Sequence, residues 1–285
     1  MRIAVIGARG QLGAAVVHEC QPAHEVIALA RGDLDITDDR AVAEVIARLA
    51  PAAIVNCAAD NRVDAAEDHP LDALNANAFA VRALARAATR LGATLVHYGS
   101  DFVFDGKART PYREEDRANP LGVYAASKML GEWFGLDAPR AYVLRVESLF
   151  GHALGGRMKG SVEGIRQGLL AGSSPSVFED RTVSPTYVVD GARATRQLLE
   201  SQAPAGLYHC VNSGSCTWLE FALAMAKLLG VEPKVTPVRM ADVTLRARRP
   251  QFCALSNEKL RSAGIEMPSW QDALERYLTG GQTPV

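Results

Sequence analysis

A tyrosine and a lysine stand four residues apart in the stretch "YAASK", as Tyr124 and Lys128, where the apolar pattern predicts the start of a helix. Four residues make about one helical turn, so both side chains lie on the same helix face. A cation held near the phenol favours the phenolate and lowers the pKa of tyrosine from its ordinary value of about 10. This spacing therefore predicts a tyrosine that donates or accepts a proton during a reaction.

A third candidate is the serine in "GSDFVFDG", which directly follows the apolar run "ATLVHY". In open α/β folds, ligands bind at the carboxyl edge of the sheet, where that strand is predicted to end. From there the Ser100 hydroxyl could hydrogen-bond the substrate oxygen that Tyr124 protonates. The alternative is a serine that only forms a turn, but its position 24 residues before Tyr124 favours a Ser-Tyr-Lys set.

The two residues after that serine bear on the reaction. Asp101 supplies one carboxyl group at a predicted substrate site, and Phe102 stands in the next position. Elimination of water needs one carboxyl group that donates a proton and one that abstracts a proton. A phenyl ring transfers no proton, so Phe102 cannot be the second proton-transfer group, which argues against elimination.

The stretch "GARGQLG" places Gly7, Gly10 and Gly13 between the first predicted strand and a helix that starts at Gln11 and Leu12. Glycines are needed where the chain turns tightly, where a phosphate approaches the backbone and where the helix packs closely on the strand. The helix N-terminus offers free N–H groups and a partial positive charge to a pyrophosphate. These five residues predict a dinucleotide site, although a purely structural turn is the alternative.

Arg31 follows the second predicted strand, at the position that distinguishes the two nicotinamide cofactors. An acid there would bind the adenosine ribose of NAD, whereas an arginine suits the 2′-phosphate of NADP. Arg31 therefore favours NADP(H) slightly over NAD(H). An ordinary solvated arginine at a strand end is the alternative.

Apolar runs alternate with helical patterns through the first half of the chain. This alternation predicts an α/β fold of the Rossmann type, with a doubly wound parallel sheet and a smaller C-terminal substrate lobe. We expect a dinucleotide-binding domain over 1–150, which the chain rejoins at about 180–200, and a lobe made mainly of 151–285. The predicted strands cover residues 2–8, 24–30, 52–58, 93–99 and 140–146, and helical patterns include 71–92, 124–135 and 162–171.

The second half begins with a Gly-rich connection after Gly151 and contains a strand-like "GLYHCVN". Thr217 and Glu220 form a plausible capping box at the start of a further helix.

Composition limits the classes of function. The 285 residues are 48% hydrophobic and 22% charged with a net charge of -1, which argues against disorder and against a basic nucleic-acid surface. No signal peptide or membrane span is predicted, so we expect a cytoplasmic protein that binds a small molecule; a homodimer is possible. The five scattered cysteines, with Cys57 taken as a small buried hydrophobe, suit reduced thiols. Histidine and cysteine spacing gives no support for a metal site.

Taken together, these motifs resemble the extended short-chain dehydrogenase/reductases and, within them, the dTDP-4-dehydrorhamnose reductase family. The resemblance covers nearly the whole chain, and its most specific part runs from Ser100 to Lys128. The matching stretches are "GARGQLG", "DLDITD", "VNCAA", "LNANA", "GSDFVFDG", "PYREEDRANPLGVYAASKMLGE", "DRTVSPTYVVD" and "ARRP...ALSNEKL".

The resemblance implies NAD(P)H-dependent reduction of the C4 ketone of a nucleotide-linked deoxysugar. Tyr124 would protonate the C4 oxygen, Lys128 would hold the nicotinamide ribose, and Ser100 would replace the family's usual threonine. It also implies further cofactor contacts: Asp35 and Ile36 would lie near the adenine, and Ala58 and Ala59 would pass the pyrophosphate and ribose.

Two departures leave the sugar open. The family's Tyr-Thr after "NCAA" is Asp60-Asn61 here, and Ser148 in "RVESLFG" stands where an aromatic residue lines the sugar site. Among the late arginines 246, 248 and 249, Arg249 is the favoured candidate to clamp the substrate diphosphate, against a solvated basic turn.

Two other functions remain open at this point. One is an NAD-dependent sugar-nucleotide epimerase. The other is a non-catalytic NADP-binding subunit that resembles the regulatory β subunit of methionine adenosyltransferase.

Overall fold

The computed structural model describes residues 1–152 and 160–280. Six strands form its central sheet: β1 (Arg2–Ile6), β2 (Glu25–Leu29), β3 (Ala53–Asn56), β4 (Thr94–Ser100), β5 (Ala141–Val146) and β10 (Gly206–His209). Their order is β10-β5-β4-β3-β1-β2, and every neighbouring pair is parallel. The other strands are short and pair two by two: β6 (Leu149–Phe150) with β9 (Thr186–Tyr187), β7 (Ser176–Phe178) with β12 (Thr236–Val238), and β8 (Thr182–Val183) with β11 (Cys216–Thr217).

Helices follow most strands. They are α1 (Gln11–Cys20), α2 (Asp39–Leu49), α3 (Val63–Asp68), α4 (Pro70–Leu74), α5 (Ala80–Leu91), α6 (Val123–Leu136), α7 (Ser161–Leu170), α8 (Val188–Glu200), α9 (Trp218–Leu229), α10 (Glu258–Ser262) and α11 (Trp270–Thr279). Across residues 1–152 and 160–280, none of them has the length and apolar character that a bilayer crossing requires.

The sheet is covered on both faces, as the continuous apolar strands predict. Along β1, Ile3 and Val5 join one buried cluster, whereas Ala4 and Ile6 join another on the opposite face. This alternation follows from the two-residue period of a strand. The predicted doubly wound α/β fold is therefore confirmed, and each of the five predicted strands lies within two or three residues of its predicted bounds.

The predicted helical segment 71–92 is not one regular helix. A π-helical segment, Asn75–Phe79, separates α4 from α5 and contains the fully buried Asn77. A π-helical turn holds one more residue than an α-helical turn and often occurs at functional sites. Spacing of apolar residues alone could not reveal this inserted residue.

The second half of the chain contributes to two packing regions. The strand-like segment becomes β10 and pairs with β5, so it completes the central sheet, and α8 packs against α1. A separate apolar cluster gathers Phe150, Phe221 and Trp270. The capping box at the start of α9 is confirmed, since Thr217 and Glu220 each accept the other's backbone N–H. Most of the Gly-rich connection after Gly151 lies outside the described residues.

Candidate active site

The glycine loop joins β1 to α1 and leaves its backbone accessible. Gly7 has a φ of 76°, and a Cβ there would come within 2.8 Å of the Ala58 backbone nitrogen. A Cβ at Gly13 would overlap the Gly7 carbonyl oxygen, so both positions require glycine. Gly10 is the N-cap residue of α1, and no side chain caps this end. The first N–H groups of the helix are therefore available to an anion.

A cavity of about 1050 Å³ begins at this loop and extends past the ends of β2 and β3. Its size suits a large cofactor. Most of the predicted cofactor residues line it: Gly7, Gly10, Arg31, Asp35, Ile36, Ala58 and Ala59. A dinucleotide fits this arrangement of an accessible glycine-loop backbone, an uncapped helix N-terminus and a large cavity.

The acids after β2 are already engaged by their own loop. Asp35 accepts hydrogen bonds from the Thr37 hydroxyl at 2.7 Å and from the Thr37 N–H at 3.0 Å, which lower its pKa. Asp33 accepts from the Ala30 N–H at 2.8 Å. Arg31 lines the same cavity, as does Arg9. This part of the wall therefore offers guanidinium groups to a ligand phosphate.

A second cavity, of about 310 Å³, adjoins the first and holds the predicted catalytic set. Cys57, Ala58, Ala59 and Asn61 line both cavities, so the two spaces meet at the turn after β3. Burial raises the pKa of the Cys57 thiol, which argues against a thiolate at neutral pH. The second cavity is also lined by Gln11, Leu12 and Gly13 from α1, and by Ser100, Asp101, Phe102, Tyr124, Lys128 and Ser148.

Helix α6 presents Tyr124 and Lys128 to this cavity on one face. The Lys128 Nζ donates to the Tyr98 carbonyl oxygen at 2.6 Å, and burial lowers its pKa to about 8. The Tyr124 hydroxyl donates to Asn61 Oδ1 at 3.4 Å. Burial and then the nearby Asp101 raise the pKa of Tyr124. The sequence predicted a lowered pKa here, whereas the buried phenol of the structure keeps its proton and is a proton donor.

Ser100 ends β4 and turns the chain toward Phe102. Its Oγ donates to Asp101 Oδ1 at 3.1 Å and accepts from the Phe102 N–H at 3.2 Å. The Phe102 ring then meets the Tyr124 ring edge to face, with 5.5 Å between centroids. The guanidinium of Arg181 lies over the same Phe102 ring at 5.3 Å. Phe102 therefore packs between the candidate tyrosine and a buried arginine.

A cluster of buried ionisable groups lies around that arginine; we call Asp101, Glu147, Arg181 and Cys253 the buried charge cluster. Asp101 Oδ2, Glu147 Oε1 and Arg181 Nε have no hydrogen-bond partner within the described parts of the chain. The ligand atoms of Asp101, Glu147 and Cys253 lie within 4.8 Å of one another. Arg181 donates to Cys253 Sγ at 3.7 Å, so the protein supplies a cation of its own at this place.

The remaining two predicted substrate residues have different surroundings. Ser148 lines the second cavity with a φ of 45°, a left-handed conformation that is uncommon for serine. Arg249 instead faces α3, where its two terminal nitrogens donate to both carboxylate oxygens of Asp64 at 3.0 and 2.7 Å. Arg246 pairs with Asp68 on the same helix. These arginines tie their loop to α3.

Sequence reasoning missed several residues that shape the site. Asn77 and Arg181 stand inside "LNANA" and "DRTVSPTYVVD", two stretches that carry the family resemblance, so the signal was present. Asn61 and Glu147 stand in the two stretches that depart from the family pattern. Both residues make their contacts with segments that are distant in the sequence, so no short sequence pattern marks them.

Comparison with known proteins identifies the family to which this chain belongs. The family model described as RmlD substrate binding domain matches residues 1–282. The spore coat polysaccharide biosynthesis protein SpsK of Bacillus subtilis is 35% identical over 279 residues, which cover 97% of this chain and 96% of that protein. A dTDP-4-dehydrorhamnose reductase of Mycobacterium tuberculosis H37Rv is 34% identical, with 97% and 92% covered.

A solved structure is also similar. The dTDP-4-dehydrorhamnose reductase of Bacillus anthracis, in complex with NADP, superposes with a TM-score of 0.92 at 32% identity, covering 98% of this chain and 99% of that one. The fold and site define an extended short-chain dehydrogenase/reductase. Within that class, the chain belongs to the RmlD family of dTDP-4-dehydrorhamnose reductases, as the motifs predicted.

Proposed function

We propose that the protein catalyses the NADPH-dependent reduction of the C4 ketone of a nucleotide-linked deoxysugar. The observation that carries this proposal is that Ser100, Tyr124 and Lys128 line one cavity, which meets the dinucleotide-sized cavity at Ala59. The similar proteins named dTDP-4-dehydrorhamnose reductase support the substrate class.

The chain's own residues handle the proton. When bound, a reduced nicotinamide supplies the hydride that reduces the ketone carbon. Tyr124, whose pKa burial raises, holds a proton at its hydroxyl and donates it to the ketone oxygen. Ser100 orients that oxygen by hydrogen bonding. Lys128 binds the cofactor ribose and supplies positive charge one helical turn from Tyr124, which favours the phenolate left after proton transfer.

The cofactor proposal depends on Arg31 and the glycine loop. Arg31 suits a 2′-phosphate, and the acids after β2 are held by loop hydrogen bonds, which favours NADP(H) over NAD(H). We assign Gly7, Gly10, Gln11, Leu12 and Gly13 to the pyrophosphate, and Asp35, Ile36, Ala58 and Ala59 to the rest of the cofactor.

The remaining expectations stay proposals. We assign four residues to the substrate: Asp101, Phe102, Ser148 and Arg249. We also propose a cofactor domain over 1–150, to which α8 and β10 belong as well, and a substrate lobe made mainly of 151–285. A cytoplasmic location and a homodimer are likewise proposed, and size measurement in solution tests the latter.

The loss of NADPH absorbance against a panel of 4-keto sugar nucleotides tests the proposed reaction. We expect substrate-dependent oxidation, and a Tyr124→Phe variant should lose about 10²- to 10⁴-fold in kcat while still binding NADPH. Tyr142→Phe is a matched control, since the Tyr142 hydroxyl lies away from both cavities and donates to the Ala203 carbonyl at 2.7 Å.

Other outcomes would point elsewhere. Full activity in Tyr124→Phe would contradict the mechanism. Interconversion of sugars without net NADPH oxidation would identify an epimerase, and a stable partner protein with no turnover would identify a regulatory subunit.

A further inference from the structure

The second cavity contains a polar contact that the proposed reaction does not use. Asn61 lines both cavities, and its Oδ1 is the acceptor for the Tyr124 hydroxyl at 3.4 Å. Within residues 1–152 and 160–280, the Asn61 side-chain nitrogen has no hydrogen bond of its own. The amide therefore holds both an acceptor and two uncommitted donors beside the proposed proton donor.

Hydrogen bonds between Arg62 and Asp60 stabilise the turn that carries Asn61. Arg62 donates to Asp60 Oδ1 from its backbone N–H and from Nε, both at 3.0 Å, and to Oδ2 from Nη2 at 2.6 Å. This pairing lowers the pKa of Asp60, whose carboxylate is one of the groups that raise the pKa of Tyr124.

Asn77 fixes the same turn relative to α6. Its Oδ1 accepts from the Asp60 N–H at 2.8 Å, and its Nδ2 donates to the Asp60 carbonyl at 2.9 Å. The same Nδ2 donates to Ser127 Oγ at 3.0 Å, and Ser127 donates to the Tyr124 carbonyl at 2.7 Å. One buried amide thus joins the backbone beside Asn61 to the backbone of Tyr124, and the π-helical segment places it there.

This geometry gives Asn61 a task in the reaction. We propose that Asn61 is a positioning residue for the Tyr124 hydroxyl, accepting its hydrogen bond before proton transfer and donating to the phenolate afterwards. The inference rests on the proposed function, because it assigns a partner to the same proton donor. A half-turn of the amide about its Cβ–Cγ bond replaces the acceptor by a donor.

The proton balance is simple. Hydride addition to the ketone carbon leaves a negative charge on the substrate oxygen. The phenol O–H bond breaks, and its proton passes to that oxygen and neutralises it, so the negative charge ends on the Tyr124 phenolate. The Tyr124 phenolate then accepts a hydrogen bond from the Asn61 amide until a solvent proton replaces the lost one. Within the described ranges, the charged groups that face this phenol include Asp101 after β4, Asp60 after β3 and Lys128 on α6.

Three variants at this exposed position separate hydrogen bonding from shape. Asn61→Thr keeps a group that donates and accepts, Asn61→Val has nearly the same shape as threonine without either, and Asn61→Asp accepts but cannot donate. We expect Val to lower kcat by about 10- to 100-fold with NADPH binding unchanged, and Thr to retain most of the activity. We expect Asp to lower kcat and move the alkaline limb of the pH profile to higher pH.

A measurement without substrate keeps this test independent of the proposed function. With tyrosines labelled by ¹³C at Cζ, the Tyr124 signal is assigned by its loss in Tyr124→Phe, and its titration is followed by NMR. We expect a higher pKa in Asn61→Asp than in the wild type, even if the substrate class were wrong. Equal kcat for Thr and Val, or a Tyr124 titration that Asp leaves unmoved, would overturn the inference.

Discussion

Two buried arginines near the candidate site have carboxylate neighbours, but only one of them is fully paired. Arg145 on β5 donates to both carboxylate oxygens of Glu132 on α6 at 2.8 to 3.1 Å, and its guanidinium lies 4.9 Å from the centre of the Phe104 ring. Arg181 lies with Asp101 and Glu147, yet each of the three retains an unpartnered atom within the described residues.

The two groups differ in what they do for the fold. The Arg145–Glu132 pair joins α6, which carries Tyr124 and Lys128, to the central sheet. The buried charge cluster instead contains desolvated atoms that gain no hydrogen bond, which costs free energy of folding. Asp101 directly contacts Ser100, so these unsatisfied buried atoms lie next to the candidate site. Functional sites commonly contain such locally unfavourable features.

The paired arginine gives the largest expected effect. Glu132→Ala should lower the free energy of unfolding by about 3–5 kcal/mol, because it leaves the Arg145 charge buried without a partner. Urea denaturation measures the change. The double variant Glu132→Leu, Arg145→Met is the control and should be more stable than the single variant. A single-variant loss below about 1 kcal/mol would remove the contrast with the buried charge cluster.

The buried charge cluster predicts a dependence on pH. Burial and then the charge of Asp101 raise the pKa of Glu147 above its ordinary value. The folded protein therefore keeps a proton that the unfolded chain loses as the pH rises through the ordinary glutamate pKa. This difference in bound protons lowers the stability with rising pH until the folded carboxyl group also ionises. Glu147→Gln should remove that decrease and raise the stability at pH 8 by on the order of 1 kcal/mol.

Glu163 provides the matched control for that experiment. Burial raises its pKa, but hydrogen bonds from Arg166, Tyr277 and Gln167 outweigh burial, so the net pKa is lowered. Its contribution is present above the ordinary glutamate pKa and is lost as the pH falls. Glu163→Gln should thus be less stable than the wild type at pH 8. If both glutamine variants changed the stability at pH 8 in the same direction, the contrast between paired and unpaired acids would be wrong.

The same contrast explains what could be predicted from the sequence. Glycine spacing, the Tyr-Lys turn and the serine at a strand end are local patterns, so Gly7, Ser100, Tyr124 and Lys128 could be placed on elements before the structure was known. Arg181 directly precedes β8 and lies over the Phe102 ring, a contact between segments that are far apart in the sequence. Asn61 depends on Asn77, which a π-helical turn directs inward, and that turn leaves no mark on apolar spacing.

The smallest effect is expected at the exposed pair between Arg249 and Asp64. Half of the Asp64 side chain is exposed, so water and salt screen the ion pair. Asp64→Asn should lower the free energy of unfolding by about 0.2–1 kcal/mol, less at high salt, because water and salt already screen the half-exposed carboxylate and Arg249 keeps its hydrogen bond to the Ala247 carbonyl oxygen. A loss as large as that of Glu132→Ala would mean that the loop on α3 contributes as much as the buried pair. The variant also frees the guanidinium fork, so a lower KM for the nucleotide sugar would support Arg249 as a diphosphate contact, and an unchanged KM would leave it as a tie between its loop and α3.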